Sequence, residues 1–307
     1  MTMQIDWLRG CATALVTPFE VDGAVDKKAF QALVDRQITN GVSLLVPCGT
    51  TGESATMTEE EDQQVIQMTV EVAKGRARVI AGTGSNSTVT AREYSQRARE
   101  LGVDAVLVVG PYYNKPTQEG LYAHFRAVAE SVNDLPVVLY NVPGRTSSNI
   151  AAATVLRLAR DVDNIVAVKE ASGNLSQIME ILHHRPEGFR VFSGDDAVTL
   201  PLMVLGADGI ISVASNEVPA WMSRMVDLAL VGDWEEARKV HYRLLDLMEV
   251  NFIETSPGPV KAALAMMGLI QEKLRLPLVP IQDKSRLKLR EELIRLELIK
   301  EPSHAAA

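Results

Sequence analysis

Short apolar runs recur along the chain, separated by longer stretches whose apolar residues fall at helical spacing. The runs cover residues 12–17, 44–46, 78–81, 105–109, 137–140, 165–170, 189–192 and 209–213. Runs of this length, rich in β-branched residues, suit strands buried on both faces. Helical periodicity fills 26–40, ending before Gly41. It resumes behind a capping box, Thr58 with Glu61, and runs to Lys74. Further helices are expected up to Leu101, up to Val132 and from Ala151, and one behind Asn174, with Gln177 three residues on. Eight strands alternating with helices predict an α/β fold, the (β/α)8 TIM barrel. Beyond the eighth strand only helical stretches follow, at 216–231, 233–251, 259–269 and 285–299. The first closes the barrel. The expected division is therefore a barrel over 1–231, a C-terminal appendage of about three helices over 232–300, and a disordered tail over 301–307.

Composition narrows the partners. Of 307 residues, 47% are hydrophobic and 23% charged, and the formal net charge is −8. An acidic surface argues against nucleic acid or an anionic membrane as partner. The two cysteines, Cys11 and Cys48, make no disulfide framework. No Cys/His cluster has metal-ligand spacing, and no apolar run reaches the ~20 residues of a membrane span. The N-terminus has no basic segment leading into an apolar one, which makes the cytoplasm the expected compartment.

The unusual residues cluster just after the strands, where barrel enzymes keep their chemistry. Lys169 ends the sixth run, followed by Glu170 and a turn through Gly173. Apolar walls around an amine favour its uncharged, nucleophilic form, which attacks ketones to give Schiff bases. Alone, Lys169 better fits a lysine reaching from a strand end to water. Gly49-Thr50-Thr51-Gly52-Glu53 offers backbone N–H groups and two hydroxyls that can hold a carboxylate, or is an ordinary βα turn. Tyr140 ends the neighbouring strand, as a proton relay or a core tyrosine. Arg145 is a fork for a carboxylate or a surface arginine. Tyr112 and Tyr113 stand in a stiff loop, fit for a site or an oligomer contact. Gly82-x-Gly84 lacks the third glycine of a dinucleotide loop. The four helical histidines, His124, His183, His184 and His241, read as bystanders, and His304 falls in the tail. Asp195 and Asp196 offer a pair of carboxylates for a cation, but are expected rather to shape their loop and cap the next helix.

Five ordered motifs then coincide with one family. Gly49-Thr-Thr-Gly-Glu-Ser54, Pro111-Tyr-Tyr-Asn-Lys-Pro116, Tyr140-Asn-Val-Pro-Gly-Arg-Thr146, Val168-Lys-Glu-Ala-Ser-Gly-Asn174 and Ser193-Gly-Asp-Asp196 resemble the 4-hydroxy-tetrahydrodipicolinate synthase family. The likeness extends from Leu15-Val-Thr-Pro18 to Pro257-Gly-Pro-Val-Lys261. It implies a class I aldolase-type condensation of pyruvate with L-aspartate 4-semialdehyde, without metal or organic cofactor. Lys169 would form the imine and Thr51 would hold the pyruvate carboxylate. Tyr140 would shuttle protons, linked through Thr50 to a Tyr113 contributed by a neighbouring subunit. Arg145 would take the aldehyde's carboxylate, and the carbonyls of Gly194 and Ile211 would line the lysine's surroundings. A homo-oligomer, most simply a tetramer built from dimers, follows from the shared Tyr113. Relatives acting on N-acetylneuraminate or 2-keto-3-deoxy sugar acids keep the lysine and tyrosine. An arginine after Tyr-Asn-Val-Pro-Gly suits a short, carboxylate-ended substrate better than a polyhydroxy chain. A barrel that only binds pyruvate is a further alternative.

The resemblance also bears on regulation. In lysine-regulated members an effector site lies at the dimer interface. Ser54, Ala55, Asn86 and Tyr112 match it here, whereas Glu59 and Asp62 replace two histidines and Thr90 replaces a glutamate. Weak or absent feedback by lysine is the expectation.

Overall fold

A computed structural model describes residues 5–301. The strands are β1 (Gly10–Ala14), β2 (Leu44–Val46), β3 (Arg78–Gly82), β4 (Ala105–Val109), β5 (Val137–Asn141), β6 (Ile165–Glu170), β7 (Arg190–Ser193) and β8 (Gly209–Ser212). They pair in parallel and in sequence order, and β8 returns to β1 to close the barrel. The connecting helices are α1 (Lys27–Thr39), α2 (Glu59–Ala73), α3 (Thr88–Glu100), α4 (Gln118–Glu130), α5 (Pro143–Thr146), α6 (Ala152–Asp161), α7 (Leu175–His184) and α8 (Thr199–Val204). After β8 come α9 (Pro219–Leu230), α10 (Trp234–Val250), α11 (Gly258–Met266) and α12 (Asp283–Arg295). The barrel fold is thus the one the pattern of runs predicts. Among the described residues no helix is long and apolar enough to cross a membrane. Apart from Glu301, the expected tail lies outside the described residues, as does His304.

Local signals act as their chemistry dictates. The α2 capping box closes in both directions, Thr58 Oγ1 accepting from the Glu61 amide and Glu61 Oε2 from the Thr58 amide. Asn174 caps α7 by accepting from the Gln177 amide at 3.1 Å. Inside the barrel, Leu44, Ile80, Leu107, Val138, Phe192 and Ile211 form an apolar layer beneath the strand ends. The larger cluster lies between the sheet and the helices.

Several boundaries differ from the sequence reading, each for a visible reason. The first strand begins at Gly10 and stops at Ala14 rather than spanning 12–17. Gly10 pairs with Gly209 across the closing seam, where a Cβ on Gly209 would fall 2.0 Å from the Gly10 carbonyl oxygen. Two glycines therefore let β1 and β8 approach, which a search for apolar runs does not register. At the far end the Val16 amide leaves the sheet for Asn216 Oδ1. Asn216 itself does not begin a long helix. It lies in a 3-10 turn, Ala214–Asn216, and donates from Nδ2 to the Ala14 and Val213 carbonyls. The 143–146 stretch after β5 is a short helix with proline at its start. Asp195 accepts from the Ala197 amide and shapes its loop, but neither aspartate caps α8. Asp196 instead reaches across to β8, accepting from Ser212 Oγ and from the Val213 and Ala214 amides.

Candidate active site

Parallel pairing sets Tyr140 of β5 beside Lys169 of β6, and Lys169 beside Phe192 of β7. Alternation turns both side chains into the barrel mouth. Lys169 is only 6% exposed, and its Nζ lies over the Tyr140 ring, 4.3 Å from the centroid. A cation there is attracted by the ring face, and an uncharged amine there has its nucleophilic atom beside a phenol. Gly194, just past β7, touches the same stem. A Cβ on it would lie 3.1 Å from Lys169 Cε and 2.6 Å from Ala171 Cβ. Any side chain there would crowd the lysine, so the glycine keeps the space beside the amine open. Ile211, buried on β8, joins Tyr140 and Phe192 in the inner layer. The structure therefore brings Lys169, Tyr140, Gly194 and Ile211 together.

The remaining candidates lie on the segments that follow β2, β4 and β5. Thr50 and Thr51 open a 3-10 turn behind β2, Thr51 buried and Thr50 exposed. Arg145 sits exposed on α5, and its Nη2 donates to the Ser256 carbonyl at 3.4 Å. Tyr113 is 89% exposed, with φ 73°, and is presented outward rather than packed into its own barrel. Within a single chain it does not join the Lys169 group.

Two sets of polar residues escaped the sequence reading. Glu170 follows Lys169 but faces the helices, 1% exposed. Its carboxylate accepts from Asn141 Nδ2 at 3.1 Å to each oxygen, from the Ser172 amide at 2.8 Å and from Gln177 Nε2 at 3.0 Å. This network fixes the strand end that carries Lys169. A charged residue directly after a buried run was the available signal, since such a charge requires partners. The second set is Glu53 with Lys261, whose side chains are completely buried and 2.5 Å apart. Burial pushes the Lys261 ammonium down from its ordinary range, against the opposing pull of Glu53. Near the β2 loop, burial pushes the Asp62 carboxyl up to about 6, despite a hydrogen bond from Ser54 Oγ at 2.8 Å. Among the described residues no three His, Cys, Asp or Glu side chains converge as a metal site requires.

A (β/α)8 barrel with a buried strand-end lysine against a tyrosine has the layout of a class I, Schiff-base-forming aldolase. Residues 7–296 match the dihydrodipicolinate synthetase family, and the chain belongs to it. A 4-hydroxy-tetrahydrodipicolinate synthase of Koribacter versatilis is 56% identical over 92% of this chain and 94% of its own. One from Chloroherpeton thalassium is 52% identical over 97% and 98%. The crystal structure of dihydrodipicolinate synthase from Aquifex aeolicus superposes with a TM-score of 0.93 at 46% identity, covering 96% of this chain and all of that one.

Proposed function

We propose that this chain is a 4-hydroxy-tetrahydrodipicolinate synthase, joining pyruvate to L-aspartate 4-semialdehyde through a Schiff base on Lys169. The observation that carries this reading is the buried Lys169 amine lying 4.3 Å from the centroid of the Tyr140 ring, beside Gly194. The amine adds to the pyruvate ketone, and loss of water gives an imine. The protonated imine draws electrons from the methyl carbon, which releases a proton and becomes an enamine. The enamine carbon attacks the aldehyde, whose oxygen takes a proton. The amino group of the second substrate then closes the ring on the imine carbon and displaces Lys169.

Tyr140 is the phenol within reach of these proton transfers. The Thr51 amide and hydroxyl hold the pyruvate carboxylate, Thr50 links Tyr140 to a partner's phenol, and Arg145 receives the carboxylate of the aldehyde. The carbonyls of Gly194 and Ile211 line the surroundings of Lys169. Tyr113, exposed in its own chain, serves the neighbouring copy in a homo-oligomer, a tetramer made of two dimers. Sedimentation of a fully active monomer would contradict that assembly.

The test is reduction with borohydride in the presence of pyruvate. One reduced pyruvate adduct is expected on the wild-type chain and none on Lys169→Ala or Lys169→Arg, since a guanidinium cannot serve as the amine. A turnover assay with both substrates separates the synthase from sugar-acid aldolases and from a barrel that only binds. An adduct that persists in Lys169→Ala overturns the assignment.

A further inference from the structure

The motif ending at Lys261 has no part in the steps above, yet Lys261 reaches the barrel mouth from α11. Its Nζ contacts Glu53 Oε1 at 2.5 Å and donates to the Thr17 carbonyl at 2.9 Å. Glu53 Oε2 accepts from the Arg275 amide at 3.2 Å. Lys261 and Arg275 each place their charge 4.3 Å from the Phe19 ring centroid. The Arg275 guanidinium also donates to the Thr56 carbonyl at 3.0 Å. Residues C-terminal to the barrel thus grip the β2 loop through its one buried carboxylate.

Glu53 is a sensitive place to grip. It closes the 3-10 turn that begins at Thr50 and opens the turn Ser54–Thr56, with φ 56° and ψ 29°. A non-glycine residue in that left-handed region is unfavourable unless its surroundings hold it. Its side chain is anchored from both sides, and its amide closes the turn onto the Thr50 carbonyl at 3.1 Å. Such a buried ion pair adds little net stability, because desolvation offsets the attraction. What it does supply is one fixed geometry for the segment. We infer that Glu53 and Lys261 are positioning residues that set the Thr50–Thr51 turn for the pyruvate carboxylate, making α11 part of the support of the pyruvate site. This inference rests on the reading of Thr51 as the carboxylate-binding residue.

The test uses the full chain carrying Glu53→Gln together with Lys261→Met, which removes both charges and leaves neither buried alone. Urea unfolding should give a midpoint near that of the wild type. The pyruvate KM should rise roughly tenfold, with the KM for the aldehyde unchanged. Borohydride trapping at saturating pyruvate should still label Lys169. A folded double variant with wild-type pyruvate KM overturns the inference. If the double variant does not fold, Glu53→Asp replaces it. That variant keeps the charge but draws the turn a methylene out of place, and an unchanged pyruvate KM there overturns the inference equally. A wild-type chain that pyruvate and borohydride fail to label refutes the Schiff-base reading itself, an outcome distinct from labelled variants with unaltered KM.

Discussion

Asn141 donates from its side-chain nitrogen to both oxygens of Glu170, at 3.1 Å each, one residue beyond the Tyr140–Lys169 register pair. The amide that binds Glu170 is itself held, since Asn141 Oδ1 accepts from the Ile150 amide at 2.9 Å. The two strands carrying the phenol and the amine are therefore cross-linked immediately behind Tyr140 and Lys169. The cross-link faces the helices and leaves the barrel mouth free.

Glu170→Gln should expose this dependence. Every partner of the carboxylate is an N–H donor, whereas an amide offers one oxygen and a nitrogen that meets those donors head-on. Loss of hydrogen bonds to a charged acceptor is expected to cost ~2–3 kcal/mol of stability. Imine formation should slow at the same time, because the end of β6 is no longer fixed. Urea unfolding and timed borohydride trapping measure the two effects. A variant with wild-type values for both would show that the network does not position Lys169.

The difference between Lys169 and Glu53 explains what was legible in the sequence. Lys169 interrupts an apolar run at the point where a barrel strand must end, so its place follows from pattern and topology alone. Tyr140 occupies the equivalent place one strand earlier, and Arg145 follows it on α5. Glu53 and Lys261 are 208 residues apart, and neither carries a local cue to the other. Their pairing depends on how α11 folds back over the mouth, which no periodicity encodes. The start of β1 was hidden for a related reason, since it depends on Gly10 meeting Gly209, which is adjacent at the barrel seam but distant in sequence. The Glu170 network was half visible: the charge was evident, but its side-chain partners come from β5 and α7.

Arg145→Ala should separate the two substrates. The guanidinium is exposed and makes one long contact, to the Ser256 carbonyl at 3.4 Å, so its removal leaves the core untouched. A charge-assisted contact to the aldehyde's carboxylate is worth ~1.5–3 kcal/mol, or tenfold to a hundredfold in kcat/KM for that substrate. Trapping of pyruvate on Lys169 should proceed as in the wild type. If trapping fails as badly as turnover, Arg145 supports the loop and does not bind substrate.

Asp62 predicts an inverted pH response. Burial is the main cause that raises its carboxyl to about 6, with Glu61 and Glu59 adding repulsion and the Ser54 hydrogen bond opposing. Between the unfolded value near ~4 and about 6, the folded chain holds a proton that the unfolded chain has lost. This site's contribution to stability therefore falls as pH rises through that window and stays low above it. Asp62→Asn keeps an acceptor for Ser54 and removes the buried charge. It should stabilise the chain by ~2–3 kcal/mol at pH ~8, with the gain vanishing below pH ~4. Urea titrations at both pH values decide, and an equal effect at each would remove Asp62 as the cause.

Lysine should inhibit this chain weakly or not at all. The three departures from the lysine-regulated pattern lie at Glu59, Asp62 and Thr90, and the structure shows how two of them are engaged. Asp62 is buried and accepts from Ser54 Oγ at 2.8 Å, while Glu59 accepts from Gln63 Nε2 at 3.1 Å. Both line a small cavity with Tyr94 and Thr83. Thr90, whose amide donates to the Ser87 cap of α3, carries a neutral hydroxyl where the lysine-regulated pattern has a glutamate. Truncating one side of a charged hydrogen bond costs ~2–5 kcal/mol when buried, and the low end already weakens binding more than about tenfold. Glu59 and Asp62 bring negative charge from another helix, but Asp62 is committed to Ser54 and its ionisation is opposed by burial. Their attraction therefore does not restore the lost geometry. Initial rates at subsaturating pyruvate, with lysine titrated into the millimolar range, should stay near the uninhibited value. Clear inhibition by sub-millimolar lysine would show that Thr90 is dispensable and that the acidic pair takes over its role.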